Sequence, residues 1–430
     1  VIGANEIALA PAALGPGGRD GISVTDIPVT DLRELNSWIE LSAGAYSRNL
    51  RFFRRLAGEG VELSAVVKAN AYGHGMERIA RLAADTGADS FCVHSLDEAL
   101  RLRRAGLDQE VLIMGHVPLA RLEEAVAGGF RLVLYNRESA ERLAAITADG
   151  DRRVRVHLKV ETGTYRQGID EDEAGWFVDF LRRHPRVVPE GIYTHFANIE
   201  DTTDHGYARR QLERFEAAVE QVRGGGLAVP LRHAACSAAT LLFPGTHFEM
   251  VRLGVSQYGL WPSKETYLSY RLEHADADAE AAGADADPNA TANAAGGLEP
   301  VLTWKTRISQ LKDVPAGALV GYGCTYQTTR RSRLAILPIG YADGYSRRLS
   351  NQSYVLVGGR RAPVRGRVCM NLTMVDVTDV PGAALEDEVV LIGRQGEGRV
   401  TAGQLAGWIG TIHYEVVARI HPELPRLVVE

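Results

Sequence analysis

Between about residue 60 and residue 256 the chain alternates short β-branched or aliphatic runs with longer amphipathic stretches, the pattern of parallel strands joined by helices. Eight runs stand out: ELSAVV (62–67), SFCVH (90–94), VLIMG (111–115), RLVLY (131–135), VRVHLKV (154–160), GIYTHF (191–196), LRHAAC (231–236) and EMVRLG (249–254). Helical segments such as DEALRLRRAG and YARRQLERFEAAVEQVRGGG lie between them, the second closing on glycines that suit a helix C-terminus. Eight such units predict an α/β fold, a (β/α)8 TIM-type barrel. Beyond residue 298 the texture changes. VLTWKTRISQLKDV, SRLAILPIG, SYVLVGG, TMVDVTDV and EVVLIG are strand-like runs split by Gly, Pro and Asp turns, with one helical stretch near AGQLAGWIG. They predict a mostly β C-terminal domain. The expected divisions are a flexible N-terminal extension (1–35), the barrel (36–270), an acidic Ala-rich insertion (271–297) and the β domain (298–430). The early run NSWIELS (36–42) is not placed by its pattern alone; we expect it to join the β domain.

Two domains accord with 430 residues, more than one hydrophobic core usually organises. A hydrophobic content of 45%, a charged content of 24% and a net charge of -6 argue against disorder and leave no basic footprint for nucleic acid. No apolar run approaches the roughly 20 residues needed to cross a bilayer. The opening VIGANEIALAPAALGPGG lacks the basic region of a signal peptide and reads as a floppy extension; without an initiating Met, the numbering is expected to begin inside a longer product. Residues 271–297 carry six acidic residues and almost no large apolar side chain, which predicts a mobile surface insertion, with a solvated helix as the lesser alternative. The four cysteines, Cys92, Cys236, Cys324 and Cys369, form no C-x-x-C pair, so a reduced cytoplasmic setting without a zinc site is expected. Metal catalysis lacks a ligand cluster, and G-Y-G at 321–323 lacks the spacing of a dinucleotide fingerprint.

The C-terminal strand ends of a barrel carry its active site, and Lys68 follows the first run directly. A lysine snorkelling from a strand end is the bland reading. Its setting favours another: desolvated at a barrel mouth, a lysine has a lowered pKa and can form a Schiff base with an aldehyde cofactor. The string AVVKANAYGHG resembles, over eleven consecutive positions, the pyridoxal-phosphate lysine signature of the alanine racemase family of fold-type III enzymes. The resemblance implies that Lys68 holds pyridoxal 5'-phosphate and that Tyr72 hydrogen-bonds its phosphate.

The same resemblance extends around the other strand ends. HLKVETGTYRQGI is similar to the family stretch whose arginine contacts the cofactor phenolate oxygen and the substrate carboxylate, which implies that role for Arg166; a guanidinium fork suits it. Lys159 matches a lysine often carbamylated in the family, although by itself it could be an inward barrel residue paired with Glu161. His195 in THFANIED matches a histidine packed near the cofactor ring. Ser237 in HAACSAAT matches a phosphate-binding serine, with Cys236 standing where asparagine is more common and read as pocket wall. VRLGVSQYG implies Arg252 at the pyridine nitrogen, with Gly254 and Val255 holding the phosphate through backbone amides. Arginine keeps its proton, so the ring nitrogen stays unprotonated and side reactions are restrained. In the β domain VGYGCTY implies that Tyr322 is the second catalytic base. Tyr341 in PIGYADGY and Arg367, Cys369 and Met370 in RVCMN match residues that line the mouth and the substrate carboxylate site from the other subunit. Asn371 stands where aspartate is more common. Tyr414 in TIHYEV matches a phosphate-contacting tyrosine.

What the resemblance implies is two-base racemisation of alanine, supplying D-alanine for peptidoglycan. Lys68 would serve the D-enantiomer's proton and Tyr322 from the other subunit the L-enantiomer's, in a homodimer with shared active sites. A racemase for serine or for a broad range of amino acids stays open, because a pocket separates methyl from hydroxymethyl by only about 1–3 kcal/mol. A non-catalytic pyridoxal-phosphate carrier is disfavoured by the β domain with Tyr322 and Tyr341, and a fold-type III decarboxylase by the intact GYGCTY segment.

Overall fold

The computed structural model describes residues 31–274 and 297–430; most of the expected N-terminal extension, and the insertion from 275 to 296, lie outside the described residues. Residues 271–273, assigned to the insertion from their composition, instead finish a helix, Lys264–Glu273, capped by Ser263. Polar spacing in an Ala-rich context masked the continuation of that helix.

The eight runs form eight parallel strands: β2 (Glu62–Val66), β3 (Ser90–Val93), β4 (Glu110–Ile113), β5 (Arg131–Leu134), β6 (Val154–Lys159), β7 (Val187–Tyr193), β8 (Leu231–His233) and β9 (Met250–Leu253). They follow the order β8-β7-β6-β5-β4-β3-β2-β9, with β2 pairing in parallel with β9. Closure between β8 and β9 rests on backbone bonds from Glu249 N to Arg232 O and from Arg252 N to Ala235 O. This is the barrel expected from the sequence. β7 starts earlier than its apolar run, because Pro189 and a register shift against Val156/His157 interrupt the pattern there.

Strand alternation divides each strand between two environments. Leu63 and Ala65, Phe91 and Val93, Val111 and Ile113, Val154, Val156 and Leu158 join the main core that the helices cover. Their neighbours face the interior, where Val66, Cys92, Leu112, Val133, Tyr193 and Met250 form a separate small cluster. Arg155, His157 and Lys159 alternate with the core residues of β6, and Arg131 and Arg252 with those of β5 and β9, so the barrel interior is unusually polar.

Strand β1 (Ser37–Ser42) belongs to the second domain. It runs antiparallel to β10 (Leu302–Arg307) and parallel to β20 (Arg426–Val429). The sheet continues through β18 (Glu388–Gln395), β15 (Tyr354–Val357) and β16 (Arg360–Pro363), with β19 (Gly398–Val400) on β18. A three-stranded sheet, β11 (Gln310–Val314), β14 (Ser332–Leu337) and β17 (Thr373–Asp376), and the two-residue hairpin β12 (Leu319–Val320) and β13 (Tyr326–Gln327) complete it. Its core holds fully buried Trp38, Trp304 and Tyr345.

Candidate active site

Lys68 leaves β2 at the rim of the barrel and opens a turn of unusual hand. Ala69, Asn70, Ala71 and Tyr72 all have φ of 52 to 54°. A left-handed turn of non-glycine residues costs about 1–2 kcal/mol per residue, roughly 4–8 kcal/mol for four. Local bonds offset this: Ala71 N donates to Val67 O, Ala69 N to Glu98 Oε1 at 2.7 Å, and Met76 N to Asn70 Oδ1 at 3.0 Å. From the last strand, Arg426 closes the turn by donating Nε and Nη2 to Gly73 O at 2.9 and 2.8 Å. Strain of this kind persists only where the surroundings over-determine it, and it concentrates at functional sites. Its product is a fixed direction for the Lys68 and Tyr72 side chains, on opposite ends of one turn.

Burial lowers the Lys68 pKa, and the charge of Arg166 lowers it further. Such an amine is readily deprotonated and fits the nucleophile of a Schiff base. Facing it, Arg252 is buried and held in one orientation: Nη1 meets His233 Nδ1 at 2.6 Å, and Nη2 donates to Thr194 O at 2.9 Å and Ala234 O at 3.2 Å. Both Arg252 and Lys159 stand over the Tyr193 ring, at 5.0 and 5.7 Å. Burial and then the Arg166 charge push Lys159 down to about 8. Its Nζ donates to Gln167 Oε1 at 3.2 Å rather than pairing with Glu161. Glu161 is engaged elsewhere, accepting from the amides of Gly163 and Thr164 at 2.6 Å and of Arg166 at 3.2 Å, which folds the loop that carries Arg166. Burial opposes ionisation of that carboxyl, but the amides outweigh it and lower its pKa. His195, desolvated and surrounded by Arg252, Arg166, Lys159 and Lys68, is held well below the ordinary histidine range and is neutral.

On the β8 and β9 side the rim forms a cradle. Ser237 Oγ accepts from Gly254 N at 3.0 Å and Ser256 N at 3.3 Å, and a Cβ on Gly254 would sit 2.9 Å from Tyr72 Oη. Hydroxyls and amides around a gap that only glycine leaves open suit a phosphate, at the place where barrels commonly bind one. Tyr72 is ringed by Tyr258 and Tyr414 at 5.2 and 6.1 Å. Tyr414 donates its hydroxyl to Glu200 Oε2 at 2.9 Å, and Cys236 Sγ is 3.9 Å from the other oxygen. Burial raises the Glu200 pKa against the pull of Tyr414.

Lys68, Tyr72, Lys159, Arg166, His195, Ser237, Arg252, Gly254, Val255 and Tyr414 thus share the barrel rim. Tyr322, Tyr341 and Met370 do not join them within this chain. Tyr322 lies in the turn Tyr322–Cys324, whose Gly323 abuts the Arg367 guanidinium, while Tyr341 N donates to Cys369 O and Ala342 N to Met370 O. The three side chains are 73%, 41% and 57% exposed. Among the described residues no hydrogen bond, ion pair or ring contact ties them to the rim. Sequence reasoning passed over Glu200, Gln167, His157 and His233. The signal for the histidines was available, since both fall on inward positions of β6 and β8; Glu200 and Gln167 sit in loops where no period marks them.

Fold and rim together define a two-domain barrel enzyme with a desolvated lysine at its rim. Residues 41–262 match the family described as alanine racemase, N-terminal domain, and residues 301–428 the alanine racemase C-terminal domain. The alanine racemase of Leptospira interrogans (serogroup Icterohaemorrhagiae, serovar Lai) is 38% identical over 397 residues, 92% of this chain and 96% of that protein. The alanine racemase of Symbiobacterium thermophilum is 40% identical over 390 residues, 91% and 96% of the two chains. Among solved structures, alanine racemase from Streptomyces lavendulae has a TM-score of 0.81 at 31% identity, covering 92% of this chain and 97% of that one. Alanine racemase from Bacillus anthracis with bound L-Ala-P has a TM-score of 0.80 at 33% identity, covering 92% and 95%. The chain belongs to the alanine racemase family. Among the described residues no helix is long and apolar enough to cross a membrane, and no three or more His, Cys, Asp or Glu side chains gather as a metal site would need.

Proposed function

We propose that this chain interconverts L- and D-alanine with pyridoxal 5'-phosphate held on Lys68, as a cytoplasmic homodimer that supplies D-alanine for peptidoglycan. The observation that carries the reading is the rim itself: a lysine with a depressed pKa beside a glycine-opened cradle of hydroxyls and amides. Tyr72, Ser237, Tyr414 and the amides of Gly254 and Val255 would hold the phosphate, and Arg252 would meet the ring nitrogen. The cofactor supplies an electron sink that lowers the cost of removing the proton from the substrate α-carbon.

The protein's own groups do the rest. Arg252 retains its proton, leaves the ring nitrogen unprotonated and so restrains the sink. Arg166 receives the substrate carboxylate, oriented by a carbamylated Lys159; neutral amine for that modification is available because the Lys159 pKa is about 8. His195, neutral, would line the cofactor ring. The Lys68 amine moves the proton of the D-enantiomer on one face. Tyr322 of the partner subunit moves that of the L-enantiomer on the other, with the partner's Tyr341 and the partner's Met370 closing the carboxylate side. The wide exposure of Tyr322 and its lack of ties to its own rim support this sharing. Family names favour alanine over serine.

A dimer made of Lys68→Ala and Tyr322→Phe subunits has one intact site and is expected to recover racemase activity that neither parent shows. No recovery overturns the sharing. Visible absorbance of the purified protein, lost in Lys68→Ala, checks the cofactor, and chiral separation after incubation with a panel of L-amino acids checks the substrate; faster turnover of serine than of alanine rejects the alanine assignment.

A further inference from the structure

Below the rim the barrel interior holds two imidazoles and a carboxylate that touch neither substrate nor cofactor in the proposed reaction. Arg252 Nη1 lies 2.6 Å from His233 Nδ1. A guanidinium only donates, so His233 Nδ1 accepts, and the neutral ring carries its proton on Nε2. That nitrogen is 2.7 Å from His157 Nδ1, which therefore accepts in turn. The His157 proton is then on Nε2, 3.1 Å from Glu190 Oε2. At the far end Arg131 anchors the carboxylate, with Nε 2.8 Å from the same oxygen in an ion pair off the N–H axis, and donates Nη1 to Glu62 Oε1 at 2.6 Å. Both imidazoles are fully buried. Burial, then the Arg252 charge, holds His233 well below the usual histidine range, and burial lowers His157 against the pull of Glu190. Neutrality is the condition under which each ring must donate from one nitrogen and accept at the other, so every hydrogen in the chain has a single direction.

We propose that Glu190 is a positioning residue for the reaction, acting through His157 and His233: by fixing both rings as Nε2–H tautomers it keeps His233 Nδ1 as the acceptor that steadies Arg252, the group that would meet the cofactor's ring nitrogen. The proposal rests on the placement of Arg252 at the ring nitrogen. Without an acceptor at position 190, the reversed tautomers become accessible, and His233 would turn an N–H toward the Arg252 N–H. Two donors cannot bond, and the guanidinium loses one of its fixed partners.

Neutron diffraction from the perdeuterated wild-type protein tests the directionality without reference to activity. The expected result is deuterium on Nε2 and none on Nδ1 of both His157 and His233. Deuterium on Nδ1 of either ring overturns the proposal, as does a doubly protonated His157 paired with Glu190. Kinetics of two variants test the positioning role. Glu190→Leu is expected to lower kcat about tenfold with little change in KM for alanine, and Glu190→Gln to recover most of that loss, because its amide oxygen can still accept from His157. An unchanged kcat in Glu190→Leu, or equal losses in both variants, overturns the role. A wild-type protein that racemises nothing would reject the proposed reaction while leaving the neutron result standing.

Discussion

Gly73 joins the turn after Lys68 to the helix His413–Ala418 that carries Tyr414, and Gly73→Ala measures how tightly the two are set. A Cβ at Gly73 would fall 1.9 Å from Val417 O and 2.7 Å from Val417 C. Relief needs a shift of roughly 1 Å or more in backbone on one side or the other. The φ of 84° adds the left-handed penalty of about 1–2 kcal/mol, and overpacking a tight site adds about 1–3 kcal/mol, giving about 2–5 kcal/mol together. Gly87 supplies the control. Its φ is 99°, it ends the helix Met76–Thr86, and a Cβ there meets nothing within 4 Å. Gly87→Ala should therefore show the backbone penalty alone. Urea unfolding at one fixed protomer concentration reads both variants, with the midpoint shift at constant m as the measure. Gly73→Ala should also bind pyridoxal phosphate more weakly, since the only ways to make room move Lys68 or Tyr414. Equal midpoint shifts for the two variants, with cofactor binding intact in Gly73→Ala, would refute the close packing as the reason for glycine at position 73.

The His74 ring is fully buried, and burial pushes it down to about 4 from 6.5. Between those values the unfolded chain binds a proton that the folded chain refuses, so stability rises with pH through this window and falls by about 3 kcal/mol on acidification from about 6.5 to about 4. His74→Gln should flatten that part of the pH dependence of the urea midpoint; an unchanged slope counts against it. Glu161→Gln weakens the carboxylate that gathers the amides before Arg166, and KM for alanine should rise roughly five- to tenfold; steady-state kinetics showing no change in KM would reject that role. Because Lys159 sits at about 8, its neutral fraction grows between about pH 7 and pH 9. A carbamate signal from 13C-labelled bicarbonate should grow over that range and be missing in Lys159→Met, and its persistence in the variant would assign the signal elsewhere.

Much of the barrel was legible because its strands are local objects with a period. VRVHLKV alternates cleanly, and that alternation separates Val156 and Leu158, in the core, from His157 and Lys159, in the interior. The placement of Lys68 at a strand end followed from the same run. Its left-handed turn did not, because three of its four residues, Ala69, Ala71 and Tyr72, carry no preference for positive φ and are held there by Glu98, Asn70 and Arg426. The last of these is supplied from the other end of the chain. Glu200 was hidden for a similar reason: its importance lies in facing Tyr414, 214 residues away. Short elements such as β12, β13 and β16 are two to four residues long and too brief for any period to show. The last three residues of Lys264–Glu273 and its C-cap His274 were lost to composition, since an acidic segment begins before the helix ends.

The position of β1 between β10 and β20 governs the order in which the chain can fold. Ser42 reaches Glu430 across 388 residues, so the earliest of the described strands is paired on one side by the last of them. The intervening barrel has only sequence-neighbouring strands to pair, apart from β2 with β9, and can gather while synthesis continues. Until β10 and then β20 emerge, Ser37–Ser42 is an apolar strand with open edges, the kind of segment that associates with other chains. Deleting residues 426–430 would therefore do more than remove one short strand. It would leave β1 open on one side and remove Arg426 from Gly73, so that a nascent or clipped chain lacks both its sheet closure and the brace on its lysine turn.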